Sequence, residues 1–217
     1  MRTAFAKACR TPIRYLSSGS ILCMTPVTDR RRMQLPVRKS LRPTPFGSTV
    51  GTGILRSMSL SALALNDGAV TVSWSFQAPI AAVWRGLTDP ALLSRWLGTV
   101  VEIDIRTGGR LVIDHGQGQL SRSEVTEAEA PHRLTMTWEF PDEPRSRVAV
   151  ELRESDEGAA AKLTHTGPDL AASYGPGWTT HLTYLEAAVQ GETIPPSQFW
   201  NLYATFAALR NERASIP

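Results

Sequence analysis

The chain has 217 residues, a formal net charge of +3, 42% hydrophobic residues and two cysteines. Six Trp, six Phe and four Tyr exclude a chain disordered throughout, and charged residues break every apolar stretch before it is long enough for a membrane-spanning helix. Collagen-like and coiled-coil compositions do not fit either.

The charge is the sum of two unlike parts. Residues 1–57 hold eleven Lys/Arg against one acid, Asp29, a net +10. Residues 58–217 hold twelve Lys/Arg against nineteen acids, a net −7. The basic balance therefore belongs to the N-terminal stretch, and the acidic remainder makes a poor nucleic-acid binder. Cys9 and Cys23 also lie in that stretch. The remainder has no disulfide framework and no thiol nucleophile, which suits a reducing, cytoplasmic setting.

Residues 1–57 are rich in Arg, Ser, Thr, Pro and Gly and show no sustained period, so a disordered extension outside the fold is expected. Three readings stand: an organellar targeting segment, a basic arm centred on Arg30, Arg31 and Arg32, or an upstream extension from a mis-assigned start, with Met58 leading into the first strand. No clean apolar run follows the first charges, which argues against a secretory signal.

The folded domain is expected over residues 67–217. Val70, Val72, Trp74 and Phe76 alternate with polar residues, the pattern of a half-buried strand. Pro79 opens a short helix with Ile80, Val83, Trp84 and Leu87 at helical spacing. Thr88-Asp89-Pro90 then starts a second one, with Asp89 as cap and Gly98 as stop. Strands follow at Val101–Ile105, Leu111–His115, 120–129, Leu134–Phe140, Val148–Arg153 and Ala161–His165. Gly108-Gly109, Gly116-Gln117-Gly118, Pro131 and Asp156-Glu157-Gly158 punctuate them. The period then changes: Trp178, Leu182, Leu185 and Val189 form one helical stripe, and Pro195-Pro196 starts a final helix over 196–212. Consecutive strands with short turns, segregated from the helices, predict an α+β fold with an antiparallel sheet wrapped around the long helix.

These segments resemble the helix-grip superfamily (SRPBCC), which includes the birch-pollen allergen, the START lipid-transfer domains and the polyketide cyclases. Within it they resemble the branch named for the activator of heat-shock protein 90 ATPase. The resemblance rests on Ala78-Pro79 to Trp84, Leu87-Thr88-Asp89-Pro90 with Arg95-Trp96-Leu97-Gly98, Gly108-Gly109-Arg110, Glu129 to Leu134 with Trp138-Glu139, Leu163 to Gly167, and Gly177-Trp178 with Leu182 and Leu185. It implies about seven strands curled around the C-terminal helix, two short helices after the first strand, and an apolar cavity between sheet and helix. Stand-alone members mostly have no assigned activity.

Alternation places Trp74, Phe76, Ile113, Trp138 and Leu163 on the concave face, opposite Trp178, Leu182 and Leu185 of the helix. Such walls suit an apolar ligand in a cavity on the order of 300–1,000 Å³. His115 and His165 share the inward parity of their strands, and His181 lies one turn from Trp178 and Leu185. His115 and His165 can hydrogen-bond a ligand or act as acid or base, and His181 can line the cavity mouth; the competing reading for each is a structural His, bonded to backbone at a strand end in the case of His115 and His165. No two His are close in sequence and no Cys lies in the domain, so no metal or other cofactor is expected. A Gly-x-Ser-x-Gly elbow and a dinucleotide fingerprint are both missing. Asp142, Glu143, Glu151, Glu154, Asp156 and Glu157 read as a solvated acidic surface or, alternatively, a docking face for a basic partner.

The reading is a non-catalytic small apolar ligand-binding or co-chaperone-like protein. The alternative is a cyclase or hydratase using His115 or His165. Expected partners are a small apolar molecule and either a chaperone or a second copy of the chain, with no membrane span.

Overall fold

The computed structural model describes residues 59–66, 68–167 and 173–214. The expectations for residues 1–57 lie outside the described residues. Eight strands form one antiparallel sheet: β1 (Leu60–Asn66), β2 (Ala69–Phe76), β3 (Thr99–Ile103), β4 (Arg110–Asp114), β5 (Leu120–Glu129), β6 (Arg133–Trp138), β7 (Ser146–Ser155) and β8 (Gly158–Thr166). Their order across the sheet is β1-β2-β8-β7-β6-β5-β4-β3. Among the described residues four α-helices accompany them: α1 (Ile80–Thr88), α2 (Pro90–Trp96), α3 (Tyr174–Val189) and α4 (Phe199–Ala214). This is the α+β helix-grip arrangement.

The sheet has one strand more than the expected seven. β1 precedes residue 67 and pairs with β2 from Leu60↔Trp74 to Asn66↔Ala69, so the two short helices follow the second strand. As an edge strand β1 is mostly exposed, and with Leu and Ala on both of its faces it lacks a clean polar–apolar alternation. The Asn-Asp-Gly run at 66–68 is the turn signal that marks it.

β2 follows its alternation fully: Val70, Val72, Trp74 and Phe76 are buried. β3 does not. The register shifts between Val100 and Glu102, so Val101 is left out of the ladder and is 60% exposed, although it alternates in sequence with Glu102 and Asp104 as Ile103 and Ile105 do.

α1 and α2 close one end of the sheet. Asp89 accepts hydrogen bonds from the backbone N–H groups of Ala91 (2.9 Å) and Leu92 (3.3 Å), with Pro90 in the first turn, as its cap position requires. Trp96 Nε1–H donates to Gly86 O at 2.8 Å and ties the two helices together. Gly86 also lets α1 reach α3: a Cβ there would stand 2.7 Å from Leu185 Cδ1 and 2.8 Å from Val189 Cγ1.

α3 is not the one-striped helix that its spacing predicts. Tyr174 to Leu182 are all buried, because the sheet covers one side while the short helices and α4 lie on the others. Its threonines remain satisfied there by bonding back along the helix: Thr179 Oγ1 donates to Gly175 O and Thr180 Oγ1 to Pro176 O. A 3₁₀ turn at Pro196–Gln198 precedes α4. Phe199, Leu202, Tyr203 and Phe206 of α4 are half-buried, and Leu209 is exposed.

Candidate functional site

A small closed space lies where the short helices, the concave sheet face and α3 converge. Leu87, Leu93, Trp96 and Leu97 line it from the helical end. Leu111, Leu134, Met136, Trp138, Val148, Val150 and Leu163 line it from the sheet, and Trp178 from α3. Its volume is about 20 Å³, room for roughly one water molecule. The expected several hundred Å³ is instead filled by the leucines and indoles, which meet across the concave face.

Of the residues expected around a cavity, Trp138, Leu163 and Trp178 stand on the wall of this space. The other anticipated residues are core neighbours outside its lining. Trp74, Phe76, Ile113, Leu182 and Leu185 are each at most 3% exposed. Leu87, Leu93, Trp96, Leu97, Leu111, Leu134, Met136, Val148 and Val150 also line the space and are not among the residues expected from the sequence, although Leu134, Met136, Val148 and Val150 share the strand parity that singles out Trp138. Their signal was present in the alternation itself.

The three histidines converge on the Trp138–Trp178 pair, whose ring centroids are 5.2 Å apart. His115 packs on Trp138 at 5.9 Å, His165 on Trp138 at 6.2 Å and on Trp178 at 5.9 Å, and His181 on Trp178 at 5.8 Å. Each is engaged by the protein. Trp178 Nε1–H donates to His165 Nδ1 at 3.1 Å, and Ser146 Oγ stands 2.8 Å from His165 Nε2. Since an indole only donates, His165 carries its proton on Nε2 and gives it to Ser146, whose hydroxyl donates in turn to Trp138 O at 3.0 Å. Burial holds the His165 imidazole neutral, with its pKa lowered to about 3.

His181 and His115 hold the C-terminal end of α2. His181 Nδ1–H donates to Trp96 O at 2.7 Å, satisfying one of the carbonyls that a helix end leaves free. His115 bonds Ser121 Oγ through Nε2 at 2.9 Å and the Leu97 backbone as well. Burial lowers His181 to about 4; burial first, and then the nearby His181, lowers His115 to about 3. His132 is exposed in its turn.

Among the described residues no three His, Cys, Asp or Glu gather as metal ligands. Asp142, Glu151, Glu154, Asp156 and Glu157 are exposed, while Glu143 accepts a hydrogen bond from the Tyr174 hydroxyl. No helix among the described residues is long and apolar enough to cross a membrane.

Residues 77–190 match the family described as Activator of Hsp90 ATPase homolog 1-like protein. Among solved structures, CalU16 from Micromonospora echinospora is 27% identical, with a TM-score of 0.52 over 65% of this chain and 87% of that one. Protein MLL2253 from Mesorhizobium loti is 26% identical, with a TM-score of 0.53 over 58% of this chain and 99% of that one. DynU16, from the dynemicin biosynthetic locus, is also 26% identical, with a TM-score of 0.53; the match covers 58% of this chain but 48% of DynU16. No curated protein matches the chain.

Proposed function

The chain belongs to the Activator of Hsp90 ATPase homolog 1-like family, and on that premise we propose that it is a non-catalytic binding protein for a small apolar molecule, held between α1, α2, the concave sheet face and α3. The observation that carries this reading is the closed apolar space where these elements converge, walled by side chains from all of them. Occupation by a larger molecule requires the walls of this space to move apart. Burying about 300 Å² of a ligand's apolar surface gives roughly 7–8 kcal/mol before the costs of association and opening.

The histidines support binding over acid–base chemistry. Both His165 nitrogens already serve Trp178 and Ser146, and His115 serves Ser121 and Leu97. Basicities of about 3 make weak general bases at neutral pH. A cyclase or hydratase role would need one of these bonds to be exchanged for substrate.

Native mass spectrometry of the full chain tests the reading. A retained small molecule, or uptake from a panel of apolar compounds with a raised melting temperature, is the expected result. A chain that stays empty and unshifted across the panel overturns it and favours a protein partner. In that event, capture of a heat-shock protein 90 chaperone at low salt supports the co-chaperone role. His115→Gln and His165→Gln separate binding from catalysis: modest loss of affinity marks a binder, and lost turnover at unchanged affinity marks an enzyme. We also place the protein in the cytoplasm, which cell fractionation checks. Phe199, Trp200 and Phe206 are half-buried, and Phe199 stacks on His181 at 4.9 Å, which supports packing within the chain over a dimer through α4.

A further inference from the structure

Three tryptophans stand on the wall of the closed space, and their indole N–H groups have different fates. Trp96 donates to Gly86 O and Trp178 to His165 Nδ1. Trp138 is 2% exposed, and its Nε1–H has no acceptor. A buried donor left unmade is costly, so folded proteins rarely leave one without a use.

We propose that Trp138 is the hydrogen-bond donor that positions the bound molecule, and that this molecule is an apolar compound presenting a carbonyl or ether oxygen as acceptor. The inference rests on the binding reading above and adds the ligand's chemical class. Water is a poor occupant here. The rest of the lining is the side chains of Leu, Met, Val and two indoles already engaged, so a water would make one bond to Trp138 where it needs two to four partners. A hydroxyl or amine would bring its own donor into the same apolar wall. A ketone, ester or ether oxygen accepts from Trp138 and leaves no donor unmade. Trp74 Nε1–H is also without an acceptor, but Trp74 is not on the wall and so serves as a control.

The test uses the full chain and two rigid probes of similar shape, 9-fluorenone with a carbonyl and fluorene with a methylene. Calorimetry should show 9-fluorenone binding about 3–10-fold more tightly than fluorene, the effect of one neutral hydrogen bond. Trp138→Phe keeps an aromatic ring and should abolish the preference, while Trp74→Phe should keep it. ¹⁵N-labelled wild-type chain supplies a readout that does not depend on Trp138→Phe folding: one unbonded indole proton should move downfield with 9-fluorenone and stay with fluorene. Equal binding of both probes by the wild type overturns the Trp138 assignment and leaves the binding reading standing. A preference that survives Trp138→Phe, or vanishes in Trp74→Phe, also overturns the assignment. If neither probe binds, the Trp138 assignment falls, and the panel above decides the binding reading separately.

Discussion

Trp178 and His165 hold each other in one chemical state: the indole N–H of Trp178 points its proton at Nδ1 of His165 across 3.1 Å, and this requires a neutral imidazole. A protonated ring would set two donors against each other inside the core. Together with Ser146 and the Trp138 carbonyl, the pair forms a directed chain of three hydrogen bonds that joins α3 to β8, β7 and β6.

That arrangement makes the fold sensitive to acid. His165 and His181 have folded pKa values lowered to about 3 and about 4, below their ordinary 6.5. The unfolded chain therefore takes up protons first. Their stabilisation is complete above about pH 6.5 and is lost as pH falls toward 3–4. Between pH 7.5 and 5.5 each contributes a loss of roughly 1.4 kcal/mol. Chemical denaturation at the two pH values measures it. His165→Gln, which can still accept from Trp178 and donate to Ser146, should reduce the difference by about the share of one His.

Trp178→Phe tests the same bond from the other side. It keeps an aromatic ring against Trp138 but leaves His165 Nδ1 without its donor. A loss of about 1–3 kcal/mol is expected at pH 7.5. Thermal or urea unfolding reads it, and a change below about 0.5 kcal/mol would mean that the buried nitrogen finds another partner.

Asp89 governs the helical end of the closed space. Asp89→Ala should cost about 1 kcal/mol, because two N–H groups of α2 lose their acceptor, and Asp89→Asn should recover most of it. Hydrogen exchange should quicken in the first turn of α2 more than in β7 or β8.

Gly98 carries the chain from α2 into β3 at φ +152°, where a Cβ would stand 2.7 Å from both Asp114 O and Ile113 Cγ2. Backbone strain and overlap with a strand carbonyl act together at this position. Gly98→Ala is expected to lose about 2–4 kcal/mol, measured by thermal denaturation.

The strands from β2 to β8 were legible wherever apolar and polar residues alternate cleanly, as at Val70, Val72, Trp74 and Phe76. Asp89-Pro90 likewise announced its helix. β1 escaped because Leu and Ala stand on both of its faces, which leaves no alternation to read. Val101 escaped because a bulge is a property of two paired strands, and neither strand shows it alone. The α3 stripe suggested one buried face, whereas helices and sheet enclose nearly all sides; burial on the second side comes from elements distant in sequence.

By itself, the sequence determined the fold class, the inward parity of Trp138, Leu163 and His165, and the acidic character of the domain, because these depend on local periodicity and on counting charges. The tertiary structure alone decided which inward residues face open space and which face one another. It joined His165 to Trp178, His181 to the end of α2, and left the Trp138 N–H without a partner. Hydrogen-bond partners are set by distances of a few ångströms between segments far apart in the chain, and residue order does not encode such distances.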